Sequence, residues 1–261
     1  MKVLFVGDIV GRPGRAAVKA LLPRIIERNK IDFVIVNGEN ASGGFGITGD
    51  TAKELFSFGA GVITSGNHIW DKKDILPYIS KEDRLLRPLN FPPGVPGFGS
   101  IVTHLPGGGT IAVLNLQGRV FMPAIDCPFR TAEAEVKRIR ERTPNIIVDF
   151  HAEATSEKVA LGYYLDGKVS AVIGTHTHVQ TADEKVLPGG TAYITDVGMT
   201  GPVDSVIGTD TQIVLQKFIT GMPVPFEVAK GPAAIRAVLI QADDGSGRAT
   251  AIRRVTYAEP S

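Results

Sequence analysis

Two histidines in the segment 174–178 carry the clearest chemical signal in the chain. His176 and His178 follow the apolar run 169–173 after only Gly174 and Thr175. If that run is a strand whose extended backbone continues through the pair, both imidazoles project to the same face. Imidazole nitrogen is the commonest protein ligand for transition metals, so the pair indicates a metal site with further ligands from elsewhere in the chain. Two histidines in a polar loop without a metal are the alternative interpretation.

Polar side chains with similar chemistry follow four other apolar runs. The whole set is Asp8, Glu39, Asn40, Asn67, His68, His151, His176 and His178. Its mixture of imidazole, carboxylate and amide oxygen suits Mn, Fe or Zn better than Mg. Glu39 is a carboxylate that can bridge, and the set has enough ligands for two ions. We therefore expect a dinuclear centre, in which the ions typically lie about 3.5–4 Å apart.

The elements that must position these residues begin as alternating strands and helices. Buried strands are predicted at 3–6, 33–36 and 61–64, with helices over about 13–26 and 51–58 between them. Pro23 lies inside the first helical pattern and predicts a kink or a break there. Thr51 and Glu54 have the spacing of a capping box at the start of the second helix. This order predicts a parallel sheet, and open α/β sheets place their sites at the carboxyl ends of the strands.

The rest of the chain mixes hairpins with further strands and helices. Hairpins are predicted from 101–104 with 111–114, from Val186 with 193–194, and from 237–240 with 249–255. Helices are expected over 132–142 and 155–165, with strands at 146–148 and 169–173. No repeat, low-complexity tract or flexible linker divides the sequence. A single domain over residues 1–261 is the prediction.

Composition and charge limit the class of protein. Hydrophobic residues make up 43% and charged residues 21% of the 261 residues, which is typical of a globular chain. The net charge is +1, so charge alone gives no support for RNA or another polyanion as a partner. Cys127 is the only cysteine, which excludes an internal disulfide and suits a reducing compartment. The N-terminal apolar run is too short for a signal peptide and no window reaches the length of a membrane span, so we expect a cytoplasmic protein without membrane contact.

Five ordered motifs make the sequence resemble a known family. The motifs are Gly7-Asp8, Asn37-Gly38-Glu39-Asn40, Gly66-Asn67-His68, His151 and Gly174-Thr175-His176-Thr177-His178. In this order they resemble the calcineurin-like metallophosphoesterases, specifically their YmdB-like branch of bacterial cyclic-nucleotide phosphodiesterases. The resemblance implies an α/β fold in which two mixed β-sheets pack as a sandwich flanked by α-helices, in four layers αββα. It also implies metal-dependent hydrolysis of phosphodiesters, with 2′,3′-cyclic nucleotides as the expected substrates.

The resemblance implies two ligand sets that share Glu39. Asp8, Glu39, Asn40 and His178 would hold one metal, and Glu39, Asn67, His151 and His176 the other. Val10 stands where the wider superfamily has a histidine, and Glu39 where it usually has an aspartate; the YmdB-like branch has the same substitutions. Fe or Mn is expected, with Zn as a further option, and the exchange of an imidazole for the amide of Asn40 affects this preference.

The expected chemistry uses a water molecule whose pKa the two cations lower, so that hydroxide attacks the phosphorus. His68, beside Asn67, would act as the general acid that protonates the leaving oxygen, although it could instead be merely packed beneath the site. Asp149 and Asp196 are candidate acceptors for the second N–H of a ligand histidine.

Several other residues are open between substrate contact and a structural role. Arg12 and Arg15 lie where a phosphate could approach, or are solvated at a helix start. Arg119 and Phe121 could clamp and stack a base, or simply pack in their loop. His104 is predicted to be structural.

Other functions fit parts of the sequence less well. The segment 44–49 matches the GxGxxG dinucleotide fingerprint, but residues 37–43 separate it from its strand, which disfavours a nicotinamide enzyme. In metal-dependent amidohydrolases a histidine pair comes near the start of the chain, whereas here it comes late. A phosphomonoesterase and a non-catalytic, metal-stabilised protein that regulates or binds RNA remain alternatives. No apolar stripe marks a dimer seam, which leaves a homo-oligomer open.

Overall fold

Residues 1–258 are described by a computed structural model, in which thirteen β-strands form two sheets. The strands are β1 Lys2–Val6, β2 Asp8–Ile9, β3 Phe33–Asn37, β4 Val62–Thr64, β5 Ser100–His104, β6 Thr110–Gln117, β7 Ile146–His151, β8 Ala171–Thr175, β9 Lys185–Val186, β10 Ala192–Ile194, β11 Met199–Pro202, β12 Ala233–Ala242 and β13 Ala249–Ala258. The α-helices are α1 Gly11–Asn29, α2 Gly49–Ser57, α3 Leu76–Ile79, α4 Pro128–Arg140, α5 Thr155–Tyr164 and α6 Thr211–Thr220.

Both sheets are mixed. The first has the strand order β2-β11-β12-β1-β3-β4, with β13 paired to β12, and its parallel pairs are β1 with β3, β3 with β4, and β2 with β11. The second has the order β5-β6-β7-β8-β10-β9, with four parallel strands between two antiparallel edge strands. The parallel strands of each sheet therefore end at a common edge, where loops can meet.

Three apolar clusters show how the layers pack. In β1, Val3 and Phe5 face the second sheet, whereas Leu4 and Val6 face α1 and α2. Because both faces of this strand are covered, its sequence is continuously apolar. A third cluster joins the outer face of the second sheet to α4 and α5. The order helix, sheet, sheet, helix confirms the predicted αββα sandwich.

Two local predictions need correction, and two elements were not predicted. The predicted break at Pro23 is absent, because Pro23 lies on the exposed face of α1, where water can solvate the carbonyl that loses its N–H partner. The cap of α2 is Thr48, whose side chain accepts from the backbone N–H of Thr51, so the helix begins earlier than the predicted capping box. Strand β11 and helix α6 had no predicted counterpart, and none of the ten residues of α6 is buried.

Within residues 1–258, no helix is long and apolar enough to cross a membrane. The single domain predicted for 1–261 extends past the described range and stays a prediction.

Candidate active site

The predicted ligands come from both sheets and meet at one edge of the sandwich. The first sheet contributes Asp8 at β2, the pair Glu39 and Asn40 after β3, and Asn67 after β4. The second contributes His151 at the end of β7 and the histidine pair after β8. Asp8 comes just after the parallel strand β1, and each of the other segments lies at the carboxyl end of a parallel strand, so strand direction explains why residues far apart in sequence converge here.

The side chains form two groups that share one carboxylate. Glu39, His151 and His176 have potential ligand atoms within 4.8 Å of one another, and so do Asp8, Glu39 and His178. The three residues of each group belong to the same one of the two sets that the family resemblance implied. The ligand role of each residue stays a prediction.

His151 Nε2 lies at the centre of the first group. It is 3.0 Å from Nδ1 of His176, 3.0 Å from Oδ1 of Asn67 and 3.1 Å from Oε1 of Glu39. One ring N–H could satisfy only one of these three acceptors. A cation at their centre would satisfy all four atoms, so this donor set fits a metal ion.

Two of the predicted ligand histidines have their second nitrogen engaged by a fixed partner. Nδ1 of His178 donates to the carbonyl oxygen of Ile207 at 2.8 Å, and Nε2 of His176 lies 3.0 Å from the carboxylate of Glu153. These partners orient the rings and leave the other nitrogen to face the cluster.

A short relay orients His151. Its Nδ1 lies 2.9 Å from Oγ1 of Thr175, whose hydroxyl donates to Asp149 at 2.7 Å. Asp149 therefore supports His151 through a hydroxyl rather than directly. The same carboxylate accepts from Asn37 and Thr64 of the first sheet, so it links the two sheets beneath the site.

Two buried oxygens in the site have no hydrogen-bond partner. They are Oδ1 of Asp8 and Oδ1 of Asn40. Asn40 presents its amide nitrogen to Glu39 at 3.0 Å and to His178 at 3.1 Å, whereas metal ligation requires the oxygen there. The expected orientation of Asn40 is therefore not the one observed. Oxygen and nitrogen have nearly the same shape, and a half-turn of the amide would satisfy a cation.

Burial and mutual charge shift the pKa values of these groups. Burial raises the pKa of Asp8 to about 7, although His178 opposes the shift. Burial also acts against ionised Glu39, but the charge and hydrogen bond of His151 outweigh it and lower the pKa of Glu39 to about 2. For His151, burial is outweighed by Glu39, which raises the pKa to about 9. Burial and the charge of His151 lower the pKa of His176 to about 3. These shifts favour Glu39 as an anion, His151 as an imidazolium and His176 as a neutral imidazole.

The histidine pair does not continue the strand as predicted. Strand β8 ends at Thr175, and the backbone turns through positive φ values of 105° at His176 and 68° at His178. Asp196 explains part of this turn, because it accepts from the backbone N–H of Thr177 at 2.9 Å and forms a buried ion pair with Lys158 at 2.8 Å. Asp196 therefore anchors the loop and not a histidine ring.

A close approach explains the glycine that precedes Asn67. A Cβ on Gly66 would overlap the imidazole of His151 and the carboxylate of Glu39. Only glycine leaves the space that these two side chains occupy.

A cavity of about 370 Å³ opens over the cluster. Its lining includes Glu39, Asn40, His176 and His178, together with His68. Nδ1 of His68 lies 2.8 Å from the carboxylate of Asp71, which fixes the ring at the cavity wall. The position predicted for a general acid is therefore occupied by an oriented imidazole.

The residues that the sequence left open between substrate contact and structure lie elsewhere. Arg15 donates to Glu54 at 2.8 Å and to the carbonyl of Ala41, so it ties α1 to its neighbours. Arg12 and Arg119 are exposed, and Phe121 is 88% exposed; none of them is among the described residues that line the cavity. His104 lies exposed at the end of β5.

Other residues at the cavity were missed by sequence reasoning. Glu153 and Phe226 line it, as does Phe45 from within the GxGxxG segment. That segment is the loop before α2 and does not directly follow β3. A carboxylate two residues after His151 was a signal for Glu153, but nothing in the sequence relates Phe226 to a site formed by residues so distant along the chain.

Comparisons with known proteins identify the family of the chain. The model of a family described as YmdB-like protein matches residues 4–255. A 2′,3′-cyclic-nucleotide 2′-phosphodiesterase of Bacillus subtilis (strain 168) is 50% identical over 256 residues, which cover 98% of this chain and 96% of the relative. A crystal structure of a hypothetical protein from Thermus thermophilus has a TM-score of 0.93 with 43% identity and 100% coverage of both chains. That of a novel phosphatase from Mycoplasma pneumoniae has a TM-score of 0.92 with 34% identity, covering 99% of this chain and 93% of the other. The chain therefore belongs to the YmdB-like protein family.

Proposed function

We propose that this protein is a metal-dependent phosphodiesterase that hydrolyses 2′,3′-cyclic nucleotides. The observation that carries the proposal is the pair of donor groups sharing Glu39 at the base of a cavity, with oriented His68 on its wall. The B. subtilis relative, named for this substrate class, supports the choice of diester.

The residues present fit two cations. The partnerless oxygen of Asp8 and the converging atoms around His151 suit a positive charge between them, and so does Asn40 once its amide is turned by half a turn. Asp8, Glu39, Asn40 and His178 would hold one ion, and Glu39, Asn67, His151 and His176 the other. When bound, such ions supply positive charge to the phosphoryl oxygens and lower the pKa of the attacking water. We expect Fe or Mn, with Zn as an alternative, because the donors mix imidazole nitrogen with oxygen.

His68 is assigned the protonation of the leaving group. The carboxylate of Asp71 accepts from Nδ1–H, which orients the ring and leaves Nε2 facing the cavity. As the oxygen of water bonds to phosphorus, the ester P–O bond breaks and the leaving oxygen takes the proton from His68.

A cytoplasmic location belongs to the same proposal. It is supported by Cys127, which is a free thiol and therefore suits a reducing compartment.

The test is turnover by the purified, metal-loaded protein. We expect hydrolysis of 2′,3′-cyclic AMP with Mn²⁺ or Fe²⁺, and its loss in Asp8→Ala and Glu39→Ala. Asp50→Ala is the matched control, because the side chain of Asp50 is 95% exposed and lies in α2. Turnover by both site variants at the rate of the control would overturn the proposal.

A further inference from the structure

Three aromatic rings follow one another along one wall of the cavity. The ring of Phe45 lies 5.0 Å from that of His68 and 4.2 Å from that of Phe226, measured between centroids. All three residues line the cavity over the cluster. The wall therefore begins at the proposed general acid and continues away from it.

The two phenylalanines lie outside the apolar core of the fold. Neither belongs to the three apolar clusters found among residues 1–258, and Phe226 is 38% exposed. Their packing nevertheless depends on a particular backbone. Gly44 has a positive φ of 93°, and a Cβ there would overlap the ring of Phe226. Glycine thus lets the ring of Phe226 lie close to the backbone at Gly44, where it forms part of the aromatic wall of the cavity.

The order of the rings matches the order of groups in a nucleotide. Hydrolysis of a 2′,3′-cyclic phosphate puts the proton of His68 on a ribose oxygen, so the ribose lies next to His68. The base is attached to the far side of the ribose, which directs it along the wall toward Phe45 and Phe226. Cavities of a few hundred Å³ suit ligands of this size.

We propose that Phe45 and Phe226 form the surface on which the base of the cyclic nucleotide stacks. This inference rests on the proposed function, and it assigns to the two rings a binding role rather than a catalytic one. Because every base has a π-face, stacking accepts both purines and pyrimidines, with the larger purine ring gaining more contact.

The experiment compares a substrate with a base and one without. Glycerol 1,2-cyclic phosphate has the five-membered cyclic diester but no base. In Phe45→Leu and in Phe226→Leu, we expect the ratio of kcat/KM for 2′,3′-cyclic AMP to that for glycerol 1,2-cyclic phosphate to fall about tenfold, mainly through KM. Phe226→Trp keeps an aromatic face and should restore the ratio.

Phe218→Leu is the matched control. Phe218 is 80% exposed on α6 and does not line this cavity, so its replacement should leave the ratio at the wild-type value. Equal losses on both diesters, or a ratio that stays at the wild-type value in both Leu variants, would overturn the stacking role. Failure of the wild type to hydrolyse 2′,3′-cyclic AMP would instead overturn the proposed function itself.

Discussion

The chemistry expected of each histidine depends on the partner of its second nitrogen. His178 donates to a carbonyl, His176 faces Glu153, and His68 faces Asp71. The partners of His178 and His176 turn the other ring nitrogen toward the cluster, where the predicted ligands are needed. Asp71 instead holds the ring of His68 at the cavity wall, where the proposed proton donor is needed. The residue type is the same in all three, and the partner sets the direction in which each ring faces.

A leaving-group series tests the role of His68. In His68→Gln, kcat for 2′,3′-cyclic AMP should fall about 10²–10⁴-fold, because the ribose oxygen is a poor leaving group without a proton. The fall for bis-p-nitrophenyl phosphate should be much smaller, since p-nitrophenolate leaves unprotonated. Steady-state kinetics on both substrates provides the measurement. Equal losses on the two diesters would remove His68 as general acid.

Metal content tests the sharing of Glu39. We expect about two ions per chain in the loaded wild type, none in Glu39→Ala and one in His178→Ala. Glu39 lies in both donor groups and His178 in only one, which is the physical reason for the difference. Elemental analysis of the dialysed proteins gives the stoichiometry. Asp50→Ala should match the wild type, and a Glu39→Ala protein that retains both ions would contradict the bridging role.

The predicted ligands were accessible from sequence because each follows an apolar run that could be recognised as a strand. The hydrogen-bond partners of these ligands were harder to predict. Ile207 acts on His178 through its carbonyl, which every residue has, so no side-chain pattern marks it. The orientation of Asn40 also depends on three-dimensional contacts and is invisible in the sequence.

At the scale of elements, the loop after β8 shows what sequence periodicity misses. Both histidines reach the cluster, as predicted, but through a turn with positive φ values and not through an extended strand. The anchor of that turn, Asp196, comes some twenty residues later and precedes β11, a strand too short and too rich in small residues to be recognised. Long apolar runs such as β1 and β7 were predicted because burial on both faces leaves a clear pattern.

Removing Lys158 tests this anchor. Lys158 and Asp196 are both buried, so Lys158→Met leaves a carboxylate without its counter-charge. The free energy of unfolding should fall by about 3–5 kcal/mol, measured by urea denaturation with the metal removed. Metal affinity should also fall, because the loop that presents His176 and His178 loses support.

The double variant Lys158→Met/Asp196→Asn is the control for that experiment. It removes both charges and should be more stable than the single variant. A single variant as stable as the wild type would show that the ion pair does not hold the loop.

At the scale of the whole molecule, one apolar cluster packs the two sheets against each other. Phe5 is fully buried there, whereas Phe218 is 80% exposed on α6. We expect Phe5→Ala to lower the free energy of unfolding by about 3–5 kcal/mol, and Phe218→Ala to change it by less than about 0.5 kcal/mol. Urea denaturation of the two variants compares the loss of the same residue type at a buried and at an exposed position. Similar losses for both would mean that α6 packs against something other than solvent.

The predicted ligands are divided between the two sheets. Asp8, Glu39, Asn40 and Asn67 belong to one sheet, and the three imidazoles belong to the other. Each group of potential ligand atoms draws on both sheets, so both groups are complete only after the sheets have docked. A cation would then bind the folded protein and not the folding intermediates. It would stabilise the native state without accelerating the first steps of folding.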